Sequence, residues 1–248
     1  MLSLKNISIT LGKSTKLEHK VLNNLSLNVK TGEFVTIMGG NGAGKSTLFN
    51  VISGFLKPDS GSVTINGCNM TSLSQIKKSS LVSKVMQDSR AGTIENMSIF
   101  ENMTFALKRG KKRGFKPFFN SSNKKFFQEK LQMLNMDLEY FIDKLVCNLS
   151  GGQRQAISLI MSTLADFKVL LLDEITSALD PKSSEIVMQL VAKILREKHC
   201  ACIMITHNLD HAINYGNRLL FLKNGTFIAE YDYYAKQKLN HIELSSIY

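Results

Sequence analysis

Apolar runs rich in β-formers recur along the chain between turn signals: Phe34 to Met38, Val63 to Ile65, Leu81 to Met86, Val169 to Leu172, Ala201 to Thr206, Leu219 to Leu222 and Thr226 to Ala229. Several are continuous rather than alternating, the pattern of strands covered on both faces. Helical patterns intervene between the first and the fourth of these runs. Together they predict an α/β domain built on a largely parallel central sheet. From about Asn96 to Ala165 the pattern changes to helix formers around a basic loop, with no convincing strand. That stretch reads as a helical insertion within the domain. No internal repeat, linker or low-complexity tract interrupts the 248 residues.

With 44% apolar residues the chain has enough for a sizeable core. No apolar run approaches the length that spans a bilayer, and the opening MLSLKNISITL lacks a basic stretch leading into a long apolar segment. A cytosolic protein, or one held at a membrane by a partner, is therefore expected. Cys68, Cys147, Cys200 and Cys202 have neither metal-ligand spacing nor a disulfide pattern and are expected to be small core residues.

The formal charge is +11, and six of the nine residues from Lys108 to Lys116 are basic. A charge run reads first as a solvated loop. Phe115, Phe118 and Phe119, interleaved with it, also suit contact with an anionic leaflet or a partner. The final segment, Tyr231 to Tyr248, is polar and aromatic and carries no recognisable chemistry.

Chemistry concentrates after the run FVTIM, where Gly39, Gly40, Asn41, Gly42, Ala43, Gly44, Lys45, Ser46 and Thr47 form GxxxxGKST ahead of a helical pattern. Glycines let backbone N–H groups curl around a polyanion, and the helix N-terminus adds aligned amide dipoles. Lys45 suits the β- and γ-phosphates of a nucleotide, and the Ser46 hydroxyl suits Mg²⁺. Far downstream, the apolar run Val169 to Leu172 ends in Asp173 and Glu174. A buried strand would deliver both carboxylates at its C-terminal edge, where α/β proteins hold ligands. Strand alternation predicts that they point to opposite sides and do different work: Asp173 on Mg²⁺, Glu174 polarising an attacking water.

A third motif, Leu149-Ser150-Gly151-Gly152-Gln153, places a good N-cap before a helix starting near Gly151 and creates a second anion site. This is the signature of ATP-binding cassette (ABC) ATPases, and the chain resembles that family over essentially its whole length. The resemblance implies one ABC ATPase domain, with a core at about 1–87 and 166–230, a helical subdomain at about 88–165 and a tail at 231–248. It implies a largely parallel sheet core with an antiparallel β part. It further implies that Ser150, Gly151, Gly152 and Gln153 of one subunit close over the glycine loop of another in a head-to-tail homodimer. Gln87 resembles the glutamine that touches Mg²⁺ and the attacking water and senses the membrane partner. Asp180, in Ser177-Ala178-Leu179-Asp180, resembles the D-loop aspartate, and His207 the switch histidine at the γ-phosphate.

Two departures stand out. The family usually stacks an aromatic ring on adenine near the end of the first strand, yet no Phe, Tyr or Trp precedes Phe34. Leu11 aligns with that place and His19 is the nearby ring, so weaker base stacking is expected. Downstream of the signature, QRQAISLIMSTL lacks the arginines common in other members. The latter segment, with THNLDHAINYGNRLLFLKNG, is similar to ATPase subunits of tryptophan/tyrosine-type solute-uptake systems. The resemblance implies an ATPase that uses ATP and Mg²⁺ to power import of a small solute such as an amino acid. It would be held on the inner face of the membrane by permease subunits, with a solute-binding protein in the complete system and no nucleic acid. A soluble cassette acting on ribosomes or nucleic acid is the alternative, although such relatives typically carry two cassettes or a long coiled-coil insertion.

Overall fold

The computed structural model describes residues 1–111 and 122–239. In chain order the strands are β1 (Leu2–Leu11), β2 (His19–Val29), β3 (Phe34–Met38), β4 (Ser60–Ile65), β5 (Cys68–Asn69), β6 (Val82–Val85), β7 (Val169–Asp173), β8 (Ala201–Ile205), β9 (Arg218–Lys223) and β10 (Thr226–Tyr231). The helices are α1 (Lys45–Ile52), α2 (Gln75–Leu81), α3 (Ile99–Leu107), α4 (Ser122–Gln132), α5 (Gly151–Leu164), α6 (Pro181–Lys198), α7 (Leu209–Asn214) and α8 (Tyr233–Gln237).

Two sheets form. The larger has the order β10-β9-β3-β8-β7-β6, parallel throughout except for the β9–β10 hairpin. The smaller is antiparallel, in the order β2-β1-β4-β5. The central strands β3 and β8 are buried at every position, which is why their sequences read as continuous apolar runs.

Strand alternation splits the core. Val35, Ile37, Val169, Leu171, Ala201, Ile203 and Ile205 face one side, where α1 and the antiparallel sheet cover them. Leu170, Leu172, Cys202 and Met204 face the other, where α3, α4, α5 and α6 pack. Burying each such Leu or Ile contributes roughly 1.5–3 kcal/mol. The helices of the 88–165 stretch thus share a core with the parallel sheet.

Local signals set the helix starts that matter for the site. Asp180 caps α6 by accepting a bond from Ser183 N at 3.0 Å, with Pro181 in the first turn. Ser98 and Glu101 form a reciprocal capping box on α3.

Three sequence expectations are corrected. Only Cys200 and Cys202 are core residues, while Cys68 at a hairpin edge and Cys147 before the signature are exposed. The run beginning at Leu81 is a strand only from Val82, because Leu81 closes α2. Within the basic run, Arg109 is half-buried rather than fully solvated: it donates to Ser83 Oγ at 2.6 Å and Ser162 O at 2.8 Å and lies over the Phe167 ring. Burial pushes its guanidinium down to about 10. Residues 112–116, Phe118, Phe119 and the tail from 240 lie outside the described residues.

Candidate active site

The loop from Gly39 to Gly44 joins β3 to α1 at the C-terminal edge of the parallel sheet, where this fold class binds ligands. Its glycines are required by geometry. Gly44 has φ 103°, and an added Cβ would meet Leu22 Cδ2 and Val21 O at 2.9 Å. At Gly39 a Cβ would lie 2.3 Å from Leu222 O. Gly40 and Gly42 instead face open space, leaving room for a ligand against bare backbone.

Lys45, the first residue of α1, is buried and folds back to donate to Gly39 O at 2.6 Å and Gly40 O at 3.0 Å. Burial lowers its proton affinity; Glu174 and then Asp173 oppose that shift by their charge. The Lys45 ammonium therefore sits near two carboxylates.

Glu174 follows β7 directly, and its backbone is left-handed, φ 46°. For a non-glycine residue this costs about 1–2 kcal/mol. The two carboxylates take different partners, and both lie close enough for their charge to act on Lys45. Glu174 is held on each oxygen, Oε1 2.6 Å from His207 Nε2 and Oε2 accepting from Gln87 Nε2 at 3.1 Å. Gln87 Nε2 also reaches Ser177 Oγ at 3.3 Å, and Ser177 Oγ donates to Glu174 O at 2.9 Å. Three segments distant in sequence, carrying Gln87, Glu174 and His207, thus converge on one carboxylate.

Asp173 pairs instead with Lys84 at 3.2 Å, and that ammonium also lies over the Phe49 ring. Lys84 escaped the sequence reading. Its signal was a lone cation in an apolar strand, which only the parallel β6–β7 pairing turns into a partner for Asp173.

A cleft of about 440 Å³ collects these groups: Asn41 to Thr47, Gln87, Glu174 and His207 line it, with Leu11, His19 and Val21 near the glycine loop. The volume suits a small ligand. No described cluster of three or more His, Cys, Asp or Glu side chains forms a cage for a metal. An exposed Ser46 hydroxyl, Gln87 and Asp173 do fit Mg²⁺, which prefers a few protein ligands supplemented by substrate phosphates.

The signature residues stand elsewhere. Ser150 caps α5 with a capping box, its Oγ accepting from Gln153 N at 3.2 Å while Gln153 Oε1 accepts from Ser150 N at 3.1 Å. Gly152 is pressed against α6, where a Cβ would meet Ser183 Oγ at 2.6 Å. Ser150 and Gly151 are exposed, and none of the four signature residues lines the Lys45 cleft. Asp180 likewise stays outside it as the α6 cap; its hydrogen bonds to Ser183 hold its carboxyl below the ordinary range. The structure therefore brings together Lys45, Ser46, Gln87, Asp173, Glu174 and His207 but leaves the signature outside their cleft, with Gly151 in an adjoining one beside Gln87 and Ser177.

Comparison with known proteins agrees with this geometry. The model of the ABC transporter family matches residues 22–177. A tyrosine transport ATP-binding protein of Clostridioides difficile (strain R20291) is 42% identical, over 98% of this chain and 97% of its own length. A thiamine import ATP-binding protein of Photorhabdus laumondii is 32% identical over 91% of this chain and 88% of its own. Among solved structures, a dimeric ATP-binding cassette in a post-hydrolysis state bound to ADP and Pi superposes with a TM-score of 0.80. It shares 31% identity and covers 94% of this chain and 99% of its own. Fold, glycine loop, signature and full-length similarity agree: the chain belongs to the ABC transporter family as an ATP-binding, ATP-hydrolysing cassette subunit.

Proposed function

We propose that this subunit powers import of a small solute such as an amino acid. It would work as a homodimer docked on permease subunits at the inner face of the cell membrane, with a solute-binding protein completing the system. The full-length similarity to a tyrosine transport ATP-binding protein supports the solute class. Import names also recur among other relatives, for thiamine and for methionine. No helix among the described residues is long and apolar enough to cross a membrane, which agrees with docking through a partner.

The observation that carries the mechanism is the position of Glu174, clamped between His207 and Gln87 at the rim of the Lys45 loop. The β- and γ-phosphates of ATP would settle on the loop amides, and Lys45 would exchange its two carbonyl contacts for phosphate oxygens. Ser46, Asp173 and Gln87 would hold Mg²⁺, which neutralises phosphate charge when bound. Glu174 would accept the proton of the attacking water, with His207 stabilising charge on the transferred phosphoryl group. Ser150 and Gly152 of a second copy would close over the nucleotide, since this chain's own signature does not line the cleft.

A detergent pull-down of the tagged protein from membranes, with ATPase assay of the complex, tests the transport reading. A multi-span permease that raises turnover is expected. Ribosomal proteins or nucleic acid in its place would leave the ATPase chemistry intact and overturn transport.

A further inference from the structure

The residues that follow His207 form a short helix. Helix α7 has six residues, too few to sustain itself without tertiary contacts. Its start is secured, because Asn208 Oδ1 accepts from His211 N at 2.9 Å and Asn208 N donates to Thr206 Oγ1 at 3.0 Å. The carbonyls at its other end have no partner within the helix and must find one elsewhere.

The partner comes from the tail. Lys236, on α8, is 0% exposed, and its ammonium donates to Ala212 O at 3.2 Å and to Tyr215 O. Next to it, Gln237 Nε2 donates to Ile213 O at 3.0 Å. A cation at a helix C-terminus also opposes the helix dipole favourably. Burial of this ammonium is unfavourable in itself and pushes it down to about 8. Helix α8 is fixed in turn, since Asp232 Oδ1 accepts from Ala235 N at 2.8 Å.

Two routes lead from this clamp to the active site. Through α7, His211 Nδ1 lies 3.1 Å from Thr176 Oγ1, two residues beyond Glu174, while His207 directly precedes the α7 cap. Through packing, Ala212 shares an apolar patch with Leu219, Phe221 and Met38, and Met38 is the residue before the glycine loop.

We propose that Lys236 is a positioning residue for the hydrolysis step: α8 clamps the end of α7, and the clamped helix holds His207 at the distance from Glu174 that turnover needs. The inference rests on the role given to His207 above.

Kinetics of Lys236→Met, His207→Ala and the double variant test it, alongside nucleotide affinity and amide exchange over residues 208–215. Lys236→Met is expected to lower kcat about tenfold, keep the nucleotide Kd within about twofold and speed exchange in α7. The double variant is expected to be no slower than His207→Ala alone, because both changes remove one function. Unchanged kcat in Lys236→Met, or losses that multiply in the double variant, would overturn the proposal. If His207→Ala itself keeps full turnover, the role of His207 fails instead, so the two failures are distinguishable. Should Lys236→Met not fold, Gln237→Ala removes the exposed neighbouring contact. It is expected to slow kcat about twofold with the same non-additivity, and multiplying losses would again overturn the proposal.

Discussion

Two helix N-termini in this molecule, those of α1 and α5, carry the two proposed anion sites, and they differ in what surrounds them. At the first, the glycine loop ahead of α1, the ammonium of Lys45, the carboxylate of Glu174, and the side chains of Gln87 and His207 gather within one cleft, with the Asp173 carboxylate near enough to act on Lys45. At the second, Ser150 and Gln153 bond to each other's backbone and the neighbouring Gly151 is exposed. The first site gathers charged side chains in a cleft, and the second offers a capped helix end outside that cleft. On the function proposed above, the second would close over the first only in a pair of chains.

Substitutions at each site sharpen the contrast. Lys45→Ala should have the largest effect on nucleotide binding, weakening it by about a hundredfold or more in a fluorescent-nucleotide titration and lowering hydrolysis with it in a phosphate-release assay. Ser150→Glu should leave monomer affinity for ATP within about twofold yet abolish ATP-driven dimerisation, because it places a carboxylate where a second subunit would present phosphates. A tenfold loss of monomer affinity would instead put Ser150 in the chain's own site. Ser150→Ala should lower folding stability by about 1 kcal/mol in urea denaturation through loss of the α5 cap. The smallest effect is expected at the far end of the Lys45 cleft. His19→Ala should change the ratio of ATP to GTP affinity by less than about threefold, since an exposed ring whose Nδ1 is engaged by Leu17 O offers modest stacking.

The sequence exposed these two sites unequally with the rest of the fold. Runs such as Phe34 to Met38 and Val169 to Leu172 were legible because strands buried on both faces must be continuously apolar. The glycine loop was legible because its conformation admits few other residues. Strands β1 and β2 produced no clear run: their pairing shifts register at three places, which breaks the alternation a reader looks for. The tail read as opaque because its buried Lys236 donates to backbone carbonyls, and carbonyls leave no trace in sequence. Lys84 was missed for a related reason, since its meaning depends on which strand lies beside it. The left-handed turn at Glu174 was equally invisible, and it decides where that carboxylate points.

On the function proposed above, catalysis needs the Lys45 loop of one chain and the signature of another, with Glu174 as the base. Glu174→Gln, which should retain ATP binding while slowing turnover about a thousandfold, allows the closed state to be weighed directly. Light scattering of this variant with MgATP should show the mass double, and the same variant carrying Ser150→Glu should remain a monomer. A Glu174→Gln protein that binds ATP and stays monomeric, or one that hydrolyses ATP at the unaltered rate, would contradict the account.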